Sequence, residues 1–285
     1  MMVLGGISVT IRKDVLTLTI GLLGGDRRME IAADFLRNAG HTVAFPTGGA
    51  PTEAFFSALD LLVLPYPATR DGKHIALTTL PFSSLPLSKK TALFGGRLPP
   101  AWREGRPSGE AEENEEYLCG NAYLTAAAGV ATALRAGERA FFRVRAAVLG
   151  YGRIGKETAK MLRALGAEVT VYVRREAAKE EAARDGFAAR LLQDTRRLSE
   201  GLVFGTVPAP AENLASLTVK EDALIYDLGG GLPEAMATEG EMPVRTLPLR
   251  GAPGVFAPKA AGELYAGAIL DFIAKTLDPE RKHDP

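Results

Sequence analysis

The spacing of apolar positions changes several times along the chain, and each change marks an element. Residues 16–24, LTLTIGLLG, form an uninterrupted run of Leu and β-branched residues, the pattern of a strand covered on both faces. Gly24, Gly25 and Asp26 punctuate it. Over 27–39, Met29, Ile31, Ala32, Phe35 and Leu36 recur at helical spacing, and Gly40 stops the helix. A short strand over 42–45, a helix over 52–59 and a buried strand from Leu61 to Leu64 continue the alternation. Such an order predicts a parallel sheet with helices on both faces.

Residues 65–116 are rich in Pro, Gly and charge, with one strand expected at Ala92–Phe94. A loop region of that length in a compact domain is usually functional or mobile. Its acidic run, Glu110, Glu112, Glu113, Glu115 and Glu116, reads as a solvated face, and the lone Trp102 as packing. The Ala-rich tract Ala122–Leu134 is helical, ends at Gly137 and is expected to cross between two domains.

The second alternation opens with VRAAVLG at 144–150. A helix over 154–165 and a strand over Glu168–Val173 follow, then helix, strand and helix through 176–200. Leu202–Phe204 and Leu224–Tyr226 read as short buried strands. An amphipathic helix from Ala260 to Leu277 closes the chain, with Leu264, Ala268, Ile269, Phe272 and Ile273 on one side.

Composition narrows the function classes. A length of 285 residues, at roughly 100–200 per domain, suggests two domains. A net charge of zero argues against a nucleic-acid partner. Apolar runs stay short of the ~18 residues of a membrane span. A single cysteine, Cys119, and three scattered histidines, His41, His74 and His283, give no metal-ligand spacing, so no metal is expected. In the leader, residues 1–14, the charges Arg12, Lys13 and Asp14 follow a short apolar stretch, the reverse of a secretory signal, so a cytoplasmic location is expected.

One motif carries chemistry. Gly150-Tyr151-Gly152-Arg153-Ile154-Gly155 fits G-x-G-x-x-G, with a strand before it and a helix after it. Gly150 permits the tight turn, Gly152 lets the backbone approach a pyrophosphate, and Gly155 lets helix and strand pack closely. The helix start then offers amides and a positive dipole end to the anion. An NAD-selective site places a carboxylate at the end of the next strand. Here Val173 is followed by Arg174 and Arg175, which suit a 2′-phosphate, so NADP is favoured over NAD. Thr206-Val207-Pro208, Leu228 and Gly229 lie after later strands, where a Rossmann sheet lines the nicotinamide side. Lys259 stands at the start of the closing helix, where a cation is unfavourable unless an anion is near. Arg27 and Arg28, after Gly24-Gly25-Asp26, could meet an acidic substrate, and His74 reads as an ordinary loop histidine.

Read together, these residues resemble the dipicolinate synthase A-subunit family over most of the chain. The resemblance rests on Gly24-Gly25-Asp26, Leu64-Pro65 with Ala68-Thr69, Asn121 with Thr125, the Gly150–Gly155 fingerprint, Thr206-Val207-Pro208, Asp227-Leu228, and Pro253-Gly254 with Ala257-Pro258-Lys259 and Gly262. The chain departs from it at Ala126, Ala127 and Ala128, where the family tends to have a Glu-Gly pair. The resemblance implies an α/β protein of two domains. A flavodoxin-like or half-Rossmann domain would span 1–120 and be completed by the returning helix 259–285, and a Rossmann domain would span 121–258. It also implies oxidation of dihydrodipicolinate, or its hydroxytetrahydro precursor, to dipicolinate in the mother cell of a sporulating bacterium. The partners would be the synthase's flavoprotein-like B-subunit and further copies of the chain. Lys259, Asn121, Thr69 and Arg28 are the candidate substrate residues. The rival expectations are a 2-hydroxy- or 2-amino-acid dehydrogenase on the same scaffold, and a non-catalytic nucleotide-binding protein.

Overall fold

The structure is a computed structural model, described for residues 16–46, 51–136, 140–208, 214, 216–240, 242–249 and 251–278. The leader over 1–14, Gly137 and His283 lie outside the described residues. The chain divides into two compact units. One holds the residues up to Tyr117 and those from Gly262 onward; the other runs from Leu118 to Ala261.

The first unit alternates strand and helix as the apolar pattern requires. Its strands are β1 (Thr19–Leu22), β2 (Thr42–Ala44), β3 (Leu61–Val63), β4 (Ala92–Gly95) and β5 (Ser108–Glu110). All pair in parallel in the order β2-β1-β3-β4-β5, the flavodoxin-like arrangement. The helix α1 (Arg27–Asn38) starts on Asp26, whose carboxylate accepts the Arg28 amide, and it buries Met29, Ala32, Ala33 and Leu36. Next come α2 (Glu53–Ser57) and α3 (Pro100–Arg103); α4 (Glu115–Ala136) begins at the end of this segment and belongs mostly to the second unit. Ile20, Leu22, Leu61, Val63 and Phe94 of the sheet pack with α1 and with Tyr265, Ile269 and Phe272 from the end of the chain.

Two expectations for residues 65–116 are corrected. The segment is not one strand in a long loop: β5 adds a fifth strand. Its sequence, Ser-Gly-Glu, carries no apolar signal, and it pairs because Gly109 leaves room for the Phe272 ring, which a Cβ there would approach to 2.8 Å at Cε2. The acidic run is also only partly a solvated face. Glu110 accepts the Leu98 amide at 2.6 Å and the Arg103 guanidinium at 2.7 Å, and Glu112 accepts the Arg97 amide at 3.3 Å. Only Glu113, Glu115 and Glu116 are exposed. The helix α4 starts seven residues before Ala122, because the Asn114 side chain caps it by accepting the Tyr117 amide at 2.8 Å. Trp102 is packing: its ring stacks on Phe82 with centroids 4.2 Å apart.

The second unit contains β6 (Arg145–Leu149), α5 (Arg153–Ala164), β7 (Glu168–Val173), α6 (Glu176–Arg184), β8 (Ala188–Leu191) and β9 (Leu202–Gly205). Then come β10 (Thr218–Val219), β11 (Leu224–Asp227), β12 (Ala235–Thr238), β13 (Val244–Pro248) and α7 (Ala252–Phe256). The sheet order is β10-β12-β13-β11-β9-β6-β7-β8. The run from β8 to β13 is the Rossmann order 3-2-1-4-5-6, and its direction reverses between β6 and β9. Among the described strands of this sheet, only β12 and β13 pair antiparallel. The last helix, α8 (Pro258–Phe272), ends in a π-turn over Ile273–Leu277, so the closing segment begins two residues before the expected start at Ala260. Among the described residues, no helix is long and apolar enough to cross a membrane, and no group of acids, histidines and cysteine could hold a metal ion.

Candidate functional site

At a reversal of strand order, two neighbouring strands send their connections to opposite faces, which leaves a crevice at their carboxyl ends. In the second unit that point lies between β6 and β9. Gly150 leaves β6 with φ 103°, a conformation that favours glycine. A Cβ there would stand 2.8 Å from Thr206 Oγ1 and 2.9 Å from Val207 Cγ1. The loop after β9 thus packs directly on the first turn of the fingerprint. Thr206 secures the contact by donating its hydroxyl to the Leu149 carbonyl at 2.9 Å. Gly155 is buried on the other side of the turn, where a Cβ would lie 2.9 Å from the Gly150 carbonyl carbon and closer still to its oxygen. Gly152 differs from both: it is exposed and has nothing within 4 Å of a Cβ position. It is also the N-cap of the twelve-residue α5 and offers no side-chain acceptor, so the first amides of that helix have no cap of their own. Open space in front of uncapped helix amides is what a pyrophosphate needs.

The motif's second position does structural work that spacing alone does not reveal. Tyr151 is buried and donates its hydroxyl to Asp185 at 2.7 Å, at the end of α6. Burial and this carboxylate push the phenol well above its ordinary value. Lys156 pairs with Glu181 at 2.5 Å, so α5 and α6 are tied at two places.

Arg174 and Arg175 follow β7 and are both exposed. The next residue, Glu176, pairs with Lys179 at 2.8 Å. This strand end therefore presents two guanidinium groups, and the acid that follows them in sequence is paired with Lys179.

The loop after β11 completes this end of the sheet. Asp227 is buried, with its carboxylate accepting the Gly229 amide at 3.2 Å and the Gly230 amide at 2.8 Å. Burial raises its pKa, while the amides of Gly229, Gly230, Gly231 and Leu232 oppose that rise. A Cβ at Gly229 would lie 2.6 Å from the Thr206 carbonyl carbon, and one at Gly231 would lie 2.8 Å from the Pro208 oxygen. Gly229–Gly231 is therefore a packed loop rather than a slack turn. Thr206 and Val207 touch the fingerprint, and Thr206, Val207 and Pro208 all touch this loop. Leu228 packs against Gly129 of α4.

The candidate substrate residues are divided between the units. Arg28 and Thr69 belong to the first, Asn121 and Lys259 to the second. Arg28 lies at the carboxyl end of β1, but it is not a waiting cation. Its guanidinium meets Asp26 through two bonds of 2.8 Å and reaches the Tyr66 carbonyl at 3.3 Å. Its side chain is 14 % exposed and its charge is held by that carboxylate, which raises its pKa against the cost of burial. Around the pair, Met29, Pro65, Tyr66, Tyr117 and Tyr265 enclose a cavity of about 10 Å³, room for one water. Removing Asp26 would strand a buried charge and remove the α1 cap. Asp26→Ala is expected to cost roughly 2–3 kcal/mol of stability by the worth of charged hydrogen bonds, measurable by urea unfolding.

Thr69 spends its hydroxyl within its own loop, donating to Asp71 at 3.1 Å and accepting the Gly72 amide at 3.0 Å. His74 joins that loop, its ring 2.6 Å from the Asp71 carboxylate, which is held well below the usual range chiefly by this bond. Asn121 is half-buried on α4, and its carbonyl accepts the Thr125 hydroxyl at 2.7 Å. Lys259 is exposed in the first turn of α8.

Comparison with known proteins bears on the same fold. Residues 130–217 match the family described as D-isomer specific 2-hydroxyacid dehydrogenase, NAD binding domain. Among solved structures, the dipicolinate synthase A-subunit from Bacillus halodurans superposes with a TM-score of 0.71 at 20% identity, covering 92% of this chain and 99% of that one. Its counterpart from Bacillus subtilis dipicolinate synthase gives 0.70 at 21% identity, with 92% and 97% covered. A transhydrogenase from Sinorhizobium meliloti gives 0.61 at 18% identity, with 90% and 93% covered. No curated protein matches by sequence. These likenesses share the two-unit α/β fold, and the matched segment contains the fingerprint, the arginine pair and Thr206-Val207-Pro208. The chain carries a nicotinamide-dinucleotide-binding domain of dehydrogenase type and is an NAD(P)-dependent oxidoreductase.

Proposed function

We propose that this oxidoreductase uses NADP(H), with NAD as the weaker cofactor, and that its substrate is a cyclic dicarboxylate of the dihydrodipicolinate type. The observation that carries the cofactor reading is the pair of exposed guanidinium groups at Arg174 and Arg175, beside a Glu176 already paired with Lys179. A guanidinium binds a 2′-phosphate through two charge-assisted bonds, whereas a carboxylate at that place would repel it. Gly150, Gly152, Arg153, Ile154 and Gly155 would hold the pyrophosphate, and Thr206, Val207, Pro208, Leu228 and Gly229 would border the nicotinamide. When bound, the nicotinamide accepts or gives the hydride. The chain's own task is to orient and to exclude water.

The substrate reading has two supports: the fold likeness to the dipicolinate synthase A-subunits and the residue pattern around Pro253-Gly254 and Ala257-Pro258-Lys259. Lys259 is the cation for one carboxylate, with Asn121 as a hydrogen-bond partner. Arg28 and Thr69 serve less directly, since Arg28 is committed to Asp26 and Thr69 to its loop. Formation of an aromatic pyridine favours the oxidation, so a strong base in the site is not required. A flavoprotein-like partner corresponding to the synthase's B-subunit, a homo-oligomeric state, a cytoplasmic site and a role in sporulation belong to the same proposal.

Titration with NADPH and NADH, followed by an absorbance assay for pyridine dicarboxylate with and without that flavoprotein-like partner, tests it. We expect tighter binding of NADPH and formation of the pyridine product. Lys259→Ala should raise the substrate KM roughly tenfold, the worth of one charged hydrogen bond, with NADPH affinity kept. Turnover of simple 2-hydroxy or 2-amino acids instead would move the substrate reading to those classes. Binding of neither dinucleotide would remove it altogether.

A further inference from the structure

Two successive amides, those of Gly229 and Gly230, donate to one buried carboxylate. Convergent backbone N–H groups of this kind form a nest that binds anions. Here the nest is filled from within the chain: Asp227 lies at the end of β11, and its Oδ1 takes the Gly229 and Gly230 amides at 3.2 and 2.8 Å. The residue is 6 % exposed. The same loop has no slack. Gly229 and Gly231 abut the carbonyls of Val207 and Pro208, and Gly230 forms a bridge with Pro208. Val207 and Thr206 in turn fill the space beside Gly150 of the fingerprint. A displaced Gly229–Gly231 loop would therefore release Thr206-Val207-Pro208, and with it one wall of the first fingerprint turn.

We infer that Asp227 is a positioning residue, an internal anion that plugs its own amide nest and so fixes the loop pair 206–208 and 228–232 against the dinucleotide-binding turn. It touches neither cofactor nor substrate and acts through the loops. The cofactor half of this inference rests on the proposed dinucleotide binding, whereas the nest itself does not.

An emptied nest takes a small free anion, which gives a test that general destabilisation cannot imitate. Formate reproduces the lost carboxylate in the Asp227→Ala variant. Asp227→Ala should melt below the wild type, and formate at about 100 mM should raise its Tm by several degrees, with no such rise in the wild type or with equal sodium chloride. Its NADPH affinity, followed by cofactor fluorescence, should fall about tenfold, as for a lost charge-assisted bond, and should recover with formate. Asp227→Asn, which keeps one acceptor oxygen, should lose less affinity and show no rescue. If formate leaves the Tm and the affinity of Asp227→Ala unchanged, or if the variant binds NADPH like the wild type, the inference is overturned. Failure of the wild type to bind any dinucleotide would sink the proposed function instead, and the formate-dependent Tm would still judge the nest.

Discussion

Replacing Gly155 with Val is expected to weaken dinucleotide binding by at least about a hundredfold while the protein stays folded. Gly155 is the third glycine of the fingerprint and is buried where α5 crosses the end of β6. A Cβ there runs into the Gly150 carbonyl and comes within 2.9 Å of Thr206 Oγ1. None of these neighbours is a flexible side-chain end that could swing away at little cost. The helix start must move, and the amides before it move with it. Overpacking of this kind costs roughly 1–3 kcal/mol of stability, too little to unfold a core that also includes Leu149, Ala159 and Leu162. Binding should lose more, because all the helix-start amides proposed to hold the pyrophosphate would be displaced together, and a hundredfold corresponds to about 2.7 kcal/mol. Fluorescence titration with NADPH and a circular dichroism spectrum decide it. Near-wild-type affinity in a folded Gly155→Val would show that this turn does not seat the cofactor.

The second large effect concerns selectivity. In the double variant Arg174→Ser with Arg175→Ser, NADPH affinity should fall by roughly tenfold to a hundredfold, the worth of one or two charge-assisted bonds at about 1.5–3 kcal/mol in all. NADH affinity should stay within about twofold, since NADH lacks the phosphate these groups would grip. High salt should reduce the wild-type preference, because both arginines are exposed and their attraction is screened. The ratio of the two dissociation constants is the quantity to measure. Equal losses for both dinucleotides would mean that the arginines serve the pyrophosphate or the fold, and would withdraw the preference for NADP.

The elements that the sequence predicts well are those with buried, periodic faces. The α1 and α5 helices and the β7 strand fall within a residue or so of their expected positions. The fingerprint is legible because Gly150 and Gly155 must be glycine for local reasons, while Gly152 keeps the space before the helix start open. The reading is poorest where polar residues hold the chain. Ser108–Glu110 joins the sheet by backbone pairing and by room for a ring contributed from far along the chain. The acidic run looks like a wet surface, yet two of its members are bound to Leu98, Arg97 and Arg103. Arg28 reads as a free cation because sequence order does not reveal that its side chain folds back on Asp26 two residues earlier. The bond between Tyr151 and Asp185 joins positions 34 residues apart, which spacing cannot anticipate. Asp227 had a signal: an acid followed closely by glycines favours a turn in which the side chain binds the amides ahead of it.

The first unit draws Tyr265, Ala266, Ile269 and Phe272 into the core formed by Ile20, Leu22 and Phe94, although the 144 residues from Leu118 to Ala261 come between. On a ribosome adding about 5–20 residues per second, the last residue of the unit's first segment, Tyr117, emerges roughly seven to thirty seconds before the helix that seals its core, and the earliest strands emerge sooner still. The inserted unit has all its residues available first, so maturation of this polypeptide runs opposite to its synthesis: the middle consolidates, and the beginning waits for the end. A premature stop before Gly262 would leave an intact nucleotide-binding unit attached to an unsealed, aggregation-prone half.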